Sequence, residues 1–171
     1  AATIHVSIAD GYRRLGRSKH AENHLEIAIT LDSNDITARE MLGQLYLLNR
    51  QYKLAENQFL ALSKIDLTND NYLSILGDLA KLQKEWNKSI DFYVKAYQIN
   101  PQNFKVLESA MQVCLSVELF KKAEQICKML VDHNVNNSTY WLTYKQITAY
   151  NKNYHNTLNA IKELERIEGE S

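Results

Sequence analysis

Residues 41–63 read MLGQLYLLNRQYKLAENQFLALS, and this stretch decides the fold. Leu42, Leu45 and Tyr46 fall at helical spacing and form one apolar stripe. Asn49-Arg50-Gln51 interrupts the pattern. A second helical run then places Leu54, Ala55, Phe59 and Leu62 on one inner face. Two amphipathic helices joined by so short a break predict a helical hairpin.

Working outward, the same hairpin recurs. Tyr52, Trp86, Phe120 and Tyr154 stand 34 residues apart, and three residues beyond each sits a small or short side chain, Ala55, Ser89, Ala123 and Thr157. A constant period of this length marks one supersecondary unit copied along the chain. The blocks are 2–35, 36–69, 70–103, 104–137 and 138–171, with no insertion or deletion between them. Asp32 to Asp35, Thr68 to Asn71, Asn100-Pro101-Gln102-Asn103 and Asn134 to Ser138 mark the joints, and their side chains suit turns and helix N-caps. Ala9, Gly43 and Gly77 share one position and Ala21, Ala55, Ser89 and Ala123 another, as needed where helix axes approach within about 8–10 Å.

Composition agrees with a helical chain of repeats. Among 171 residues there are one proline and five glycines, both residues that weaken helix interiors. Twenty Lys plus Arg balance twenty Asp plus Glu, with no charge asymmetry between blocks, which argues against nucleic acid or an anionic membrane as partner. No apolar run is long enough for membrane insertion. Cys114 and Cys127 are expected as buried free thiols. The N-terminus has neither an initiator methionine nor a signal segment, and the chain is expected to be a piece of a longer one. Charge balance and thiols lean toward the cytoplasm, with a periplasmic or membrane-anchored parent left open.

The chain resembles the tetratricopeptide-repeat (TPR) family, whose pattern is W-x2-L-G-x2-Y, then A-x3-F, then P. Leu42-Gly43 with Tyr46, then Ala55 and Phe59, carry it in the second block, and Leu76-Gly77, Ser89, Tyr93 and Pro101 in the third. Ile8, Ala9, Tyr12, Ala21, Leu25 and Ala28 carry it in the first, with His5 in place of the tryptophan. The fourth block departs with Ala110-Met111, Cys114 and Cys127; the fifth keeps Trp141 but has Tyr144-Lys145 and Thr148. The resemblance implies an all-α, right-handed α-solenoid of five helix–turn–helix repeats, about ten antiparallel helices, forming a single array.

It further implies that the first helix of each block lines a concave groove. The residues placed there are Asp10, Arg13, Arg14, Glu40, Gln44, Asn71, Asp78, Lys81, Lys105, Glu108, Gln112, Gln146 and Tyr150. Mixed charge and many amides suit a peptide or helix held by scattered hydrogen bonds. At the positions where some TPR domains hold a chaperone's C-terminal carboxylate, no reading frame assembles a positive pocket. Tyr140, Trp141, Tyr144, Tyr150 and Tyr154 crowd the fifth block, either as core or as interface anchors. The last helix carries Leu158, Ile161 and Leu164 on one face with no polar helix after it, which leaves self-association through that end open.

Catalytic constellations are missing from the sequence. His20 and His24 lie four apart, yet the run His-Ala-Glu-Asn-His does not place its glutamate as in H-E-x-x-H, and surface histidines explain the pair. There is no phosphate-binding glycine loop and no G-x-S-x-G elbow. No metal, no cofactor and no enzymatic activity are expected. The reading is a protein-interaction scaffold; a TPR arm of a larger glycosyl- or sulfotransferase-type enzyme and a self-assembling homo-oligomer are the alternatives.

Overall fold

A computed structural model describes residues 1–169. Among the described residues there are ten α-helices and no strand: α1 (Ala2–Arg14), α2 (Ser18–Leu31), α3 (Ile36–Leu48), α4 (Tyr52–Ile65), α5 (Asp70–Leu82), α6 (Trp86–Ile99), α7 (Lys105–Ser116), α8 (Phe120–His133), α9 (Ser138–Tyr150) and α10 (Tyr154–Gly169). The four aromatic residues of the ladder are each the first residue of a second helix, α4, α6, α8 and α10.

The turn inside every hairpin has one geometry. Gly16, Arg50, Lys84, Glu118 and Lys152 all adopt positive φ, between 57° and 70°. Each ends its first helix in a Schellman motif. In the first block the N–H of Gly16 donates to the Arg13 carbonyl (3.0 Å) and that of Arg17 to the Tyr12 carbonyl (2.9 Å). The same two bonds recur at Arg50 and Gln51, at Lys84 and Glu85, at Glu118 and Leu119, and at Lys152 and Asn153. Only the first block uses glycine where the left-handed conformation favours it. Joints between blocks carry the expected side-chain caps, Asn69 accepting from the Asn71 N–H (3.2 Å) at the start of α5. Asp35 accepts from the Ala38 N–H (2.9 Å) at the start of α3, and Asn137 from that of Tyr140 (3.1 Å) at the start of α9.

The chain divides into two compact units, Ala1–Leu79 and Ala80–Ser171, and the division falls inside α5. In the first unit α1 packs on α2, α2 on α3 and α3 on α4. Ala9, Ala21, Leu25, Ala28, Leu42, Leu45, Tyr46, Ala55, Phe59, Leu62, Tyr72 and Leu76 are buried there. Gly43 shows why small residues are required: a Cβ at that position would lie 2.9 Å from Phe59 Cε2 and 3.1 Å from Cζ. Leu54, expected on the inner face, is instead exposed. It is one residue before Ala55, about 100° away around the helix, so the face that buries Ala55, Phe59 and Leu62 turns it outward.

In the second unit α6 packs on α7, α7 on α8, α8 on α9 and α9 on α10. Cys114 and Cys127 fill aromatic positions with less bulk; both are fully buried and free. Burial pushes their thiols up to about 11 and about 12, respectively. Thr148 stands where the pattern has tyrosine, and its buried hydroxyl donates to the Tyr144 carbonyl (2.9 Å) while lying 3.0 Å from Thr157 Oγ1. The fifth-block aromatics divide. Tyr140, Trp141 and Tyr144 are core, whereas Tyr150 and Tyr154 are exposed. On α10 only Ala160 is buried, and Leu158 and Ile161 face solvent.

Candidate functional site

All thirteen groove candidates lie on first helices, and none is buried. In the first unit these are Asp10, Arg13 and Arg14 on α1, Glu40 and Gln44 on α3, and Asn71 and Asp78 on α5. In the second they are Lys81 at the end of α5, Lys105, Glu108 and Gln112 on α7, and Gln146 and Tyr150 on α9.

Several of them already have partners within their own unit. Asp10 bridges Arg13 (2.6 Å) and Arg14 (2.7 Å) along one turn of α1. Its carboxyl is lowered below the usual value, first by the Arg13 bond and then by that of Arg14. Glu40 accepts a hydrogen bond from the Tyr72 hydroxyl (2.6 Å), and Glu108 from the Tyr140 hydroxyl (2.5 Å). In both cases a first helix donates to the first helix of the preceding repeat, 32 residues back. Burial, then the neighbouring glutamate, pushes the Tyr72 and Tyr140 phenols up to about 12. These two glutamates therefore join repeats, a role the sequence reading did not give them. Gln44 in the first unit and Gln112 and Gln146 in the second are exposed amides at the same position of their repeats.

The second unit adds a cleft between α7 and α9. A space of about 240 Å³ is lined by Leu115, Phe120, Thr143, Gln146, Ile147 and Tyr150. The Tyr150 ring lies on Phe120 with centroids 4.0 Å apart. Tyr150 and Gln146 were read from the sequence; Leu115, Phe120 and Ile147 were not, because an aromatic that opens α8 is read there as packing.

The histidine pair is not a simple surface feature. His24 is half-buried, its Nδ1 lies 2.9 Å from His5 Nδ1, and both His20 and His24 stack on Tyr12. The sequence missed His5 because it lies on α1, nineteen residues away. No group of three metal-ligating side chains occurs among the described residues. Nor is any described helix long and apolar enough to cross a membrane.

Comparison with solved structures decides the fold. The chain aligns with the crystal structure of MamA over 98% of its own length and 92% of that chain, with TM-score 0.66 and 17% identity. The chain has the TPR fold. YrrB, a TPR protein with an unusual peptide-binding site, matches with TM-score 0.64 and 15% identity over 99% of this chain and 87% of that one. A TPR protein from Parabacteroides merdae matches with TM-score 0.66 and 15% identity, over 95% of this chain and 65% of that one. Among curated proteins, the BBSome complex member BBS4 of Bos taurus is 30% identical over 139 residues. That match takes in 79% of this chain, which spans only about a quarter of the relative's length. No family model matches the chain.

Proposed function

We propose that this TPR chain is a non-catalytic interaction scaffold that holds a partner peptide or helix along the solvent side of its first helices. The observation that carries this reading is the α7–α9 cleft: an apolar floor of Leu115, Phe120 and Ile147, a tyrosine wall and the amide of Gln146 at the rim. One large apolar side chain of a peptide fits such a space, while exposed amides can pair with its backbone. In the first unit Gln44, Asn71 and Asp78 offer the same polar chemistry on α3 and α5. The peptide-binding site named for YrrB and the membership of BBS4 in a complex support the reading.

A peptide library selected on the intact chain, with affinities then measured by fluorescence anisotropy, tests it. Gln146→Ala with Tyr150→Ala should weaken the selected peptides at least about tenfold, since lost aromatic burial alone is worth about 1.5–3 kcal/mol. Gln44→Ala with Asp78→Arg tests the first unit separately. Unchanged affinity in both double variants would remove the first-helix faces as the site.

A further inference from the structure

Glu124, on α8, differs from its counterparts in what neutralises it. It is half-buried and accepts from three neutral amides, that of Asn151 at Oε2 (2.7 Å) and those of Asn153 and Asn156 at Oε1 (2.6 and 3.2 Å). At Glu22 and Glu56, the same position of the first two blocks, a lysine three residues earlier meets the carboxylate, Lys19 at 2.9 Å and Lys53 at 2.8 Å. Lys121 stands at the same spacing before Glu124, yet no ion pair reaches Glu124 among the described residues. Burial raises the Glu124 carboxyl, but the three amides lower it further, so it is charged at neutral pH.

Glu124 and its three asparagines line a space of about 430 Å³, and Tyr144 of α9 lines it too. Tyr144 is 1% exposed. Its equivalents are Ile8, Leu42, Leu76 and Ala110, so stacking asks only for apolar bulk there and the phenol hydroxyl is an addition. A buried tyrosine hydroxyl usually finds a partner. No described group hydrogen-bonds this one, although every wholly buried side-chain nitrogen or oxygen among the described residues is paired. The Tyr144 oxygen therefore opens on the cavity that the residue lines. Burial, then the charge of Glu124, raises the phenol, which keeps its proton at neutral pH.

The hydrogen-bonding capacity left in this space is that of an acceptor. Oε2 of Glu124 has taken one bond from an amide, and a carboxylate oxygen can take a second. Asn151 and Asn156 give their NH2 groups to Glu124, which turns their carbonyl oxygens away from it, and no described group donates to those oxygens. The Tyr144 hydroxyl adds one more oxygen. Lys128, at the rim, is already paired with Asp132 one turn on. A primary ammonium brings three donors and a single charge to match. A guanidinium fork needs both carboxylate oxygens, and Oε1 already accepts two bonds. A calcium ion takes 6–8 oxygens, with carboxylates among them, and one carboxylate supplies too little charge.

We infer that this cavity binds a primary alkylammonium group, the head of a lysine side chain or of a free diamine, which takes at Glu124 the place that Lys53 takes at Glu56. All of the site lies in the second unit, on α8, α9, α10 and the turn before α10. It goes beyond the recognition proposed at the α7–α9 cleft and stands without it.

Titration of the isotope-labelled intact chain with butylammonium chloride, against sodium chloride of equal strength, should shift the side-chain amide NMR signals of Asn151, Asn153 and Asn156. Butanol should shift them far less. Glu124→Gln should weaken the binding at least about tenfold through loss of a charge-assisted bond. Because that change also disturbs the three amides, Tyr144→Phe serves beside it: it removes only an unpartnered hydroxyl, and should keep the melting temperature while weakening binding about two- to tenfold. Nα-acetyl-lysine methylamide and cadaverine, in separate titrations, tell a lysine side chain from a free diamine by which binds more tightly. A wild-type chain whose amide signals do not move overturns the inference, as does butanol acting like butylammonium, or binding that survives both variants unchanged. Binding that appears only in Lys121→Met overturns it too, since the chain's own lysine then fills the place.

Discussion

Lys84→Gly should make this protein more stable, although it removes a side chain and adds a flexible residue. Lys84 is an exposed residue held at φ 60° by the Schellman bonds that close α5, from its own N–H to the Lys81 carbonyl and from the Glu85 N–H to that of Ala80. A residue with a Cβ in that conformation costs about 1–2 kcal/mol through the clash with the following carbonyl. Glycine removes the cost but gives the unfolded chain about 0.4–1 kcal/mol more entropy to lose. The difference leaves a gain of about 0.5–1 kcal/mol. Arg50, Glu118 and Lys152 have the same φ to within a few degrees and are also exposed, so each should respond alike. The four sites share no partners, and together they should add about 2–4 kcal/mol, or roughly 5–15 °C in melting temperature for a chain of this length. Gly16→Ala runs the experiment backwards and should cost about 1 kcal/mol or more. Because repeat proteins can open in pieces, hydrogen exchange of each hairpin should accompany urea denaturation. A Lys84→Gly chain no more stable than wild type would refute the reasoning.

Phe59→Ala removes the ring that fills the space above Gly43 and beside Tyr72, and should cost about 3–5 kcal/mol by urea denaturation. Cys114 and Cys127, buried and shifted upward by that burial, should resist a thiol reagent at neutral pH until the second unit opens. The carboxyl of Glu124 is raised by burial but lowered further by three amides, of Asn151, Asn156 and Asn153, ending below its ordinary 4.5. A lowered folded value contributes stability above pH 4.5 that is lost as pH falls through the folded value. Protection of the α8–α10 amides should drop in acid, and Glu124→Gln should flatten that dependence. Tyr46, Tyr72 and Tyr140 are raised from 10.0 to about 12, so the stability they contribute holds below pH 10 and is lost as pH rises through about 12. A spectrophotometric titration should show these phenols ionising late and together with unfolding.

The period carried most of the fold because it repeats the requirements of a single joint. Gly43 had to be small against Phe59, and the recurrence of small residues at its equivalents showed this before any distance was known. The turns were legible as breaks, but not their conformation, since Arg50, Lys84, Glu118 and Lys152 are poor markers of positive φ. The sequence left the five aromatics of the fifth block open between core and surface, and burial divides them, with Tyr140, Trp141 and Tyr144 inside and Tyr150 and Tyr154 outside. Helical spacing fixes which residues share a face, so the common face of Leu158 and Ile161 was legible, but it does not say whether a neighbour covers that face, and burial shows both exposed. His5 and His24 met across a hairpin for the same reason: the pairing belongs to packing between helices, which composition does not carry.

The glutamate–tyrosine bonds limit which of the candidate residues could serve the proposed recognition. Glu40 and Glu108 stand on the candidate faces, yet each satisfies the hydroxyl of a tyrosine whose body is buried in the joint with the next first helix. A partner cation that drew Glu108 away would strip the Tyr140 hydroxyl of its acceptor, a loss of about 1–3 kcal/mol if water cannot replace it. Binding through those carboxylates would therefore work against the stacking that builds the face. Asp10 is committed in another way, since Arg13 and Arg14 already neutralise it within one helical turn. The amides of Gln44 in the first unit and of Gln112 and Gln146 in the second are exposed and can form new bonds without drawing on those two glutamates, as can Tyr150 on α9. Recognition built on amides and one aromatic reads backbone and shape more than charge, which fits a chain with no net charge to steer a partner from a distance.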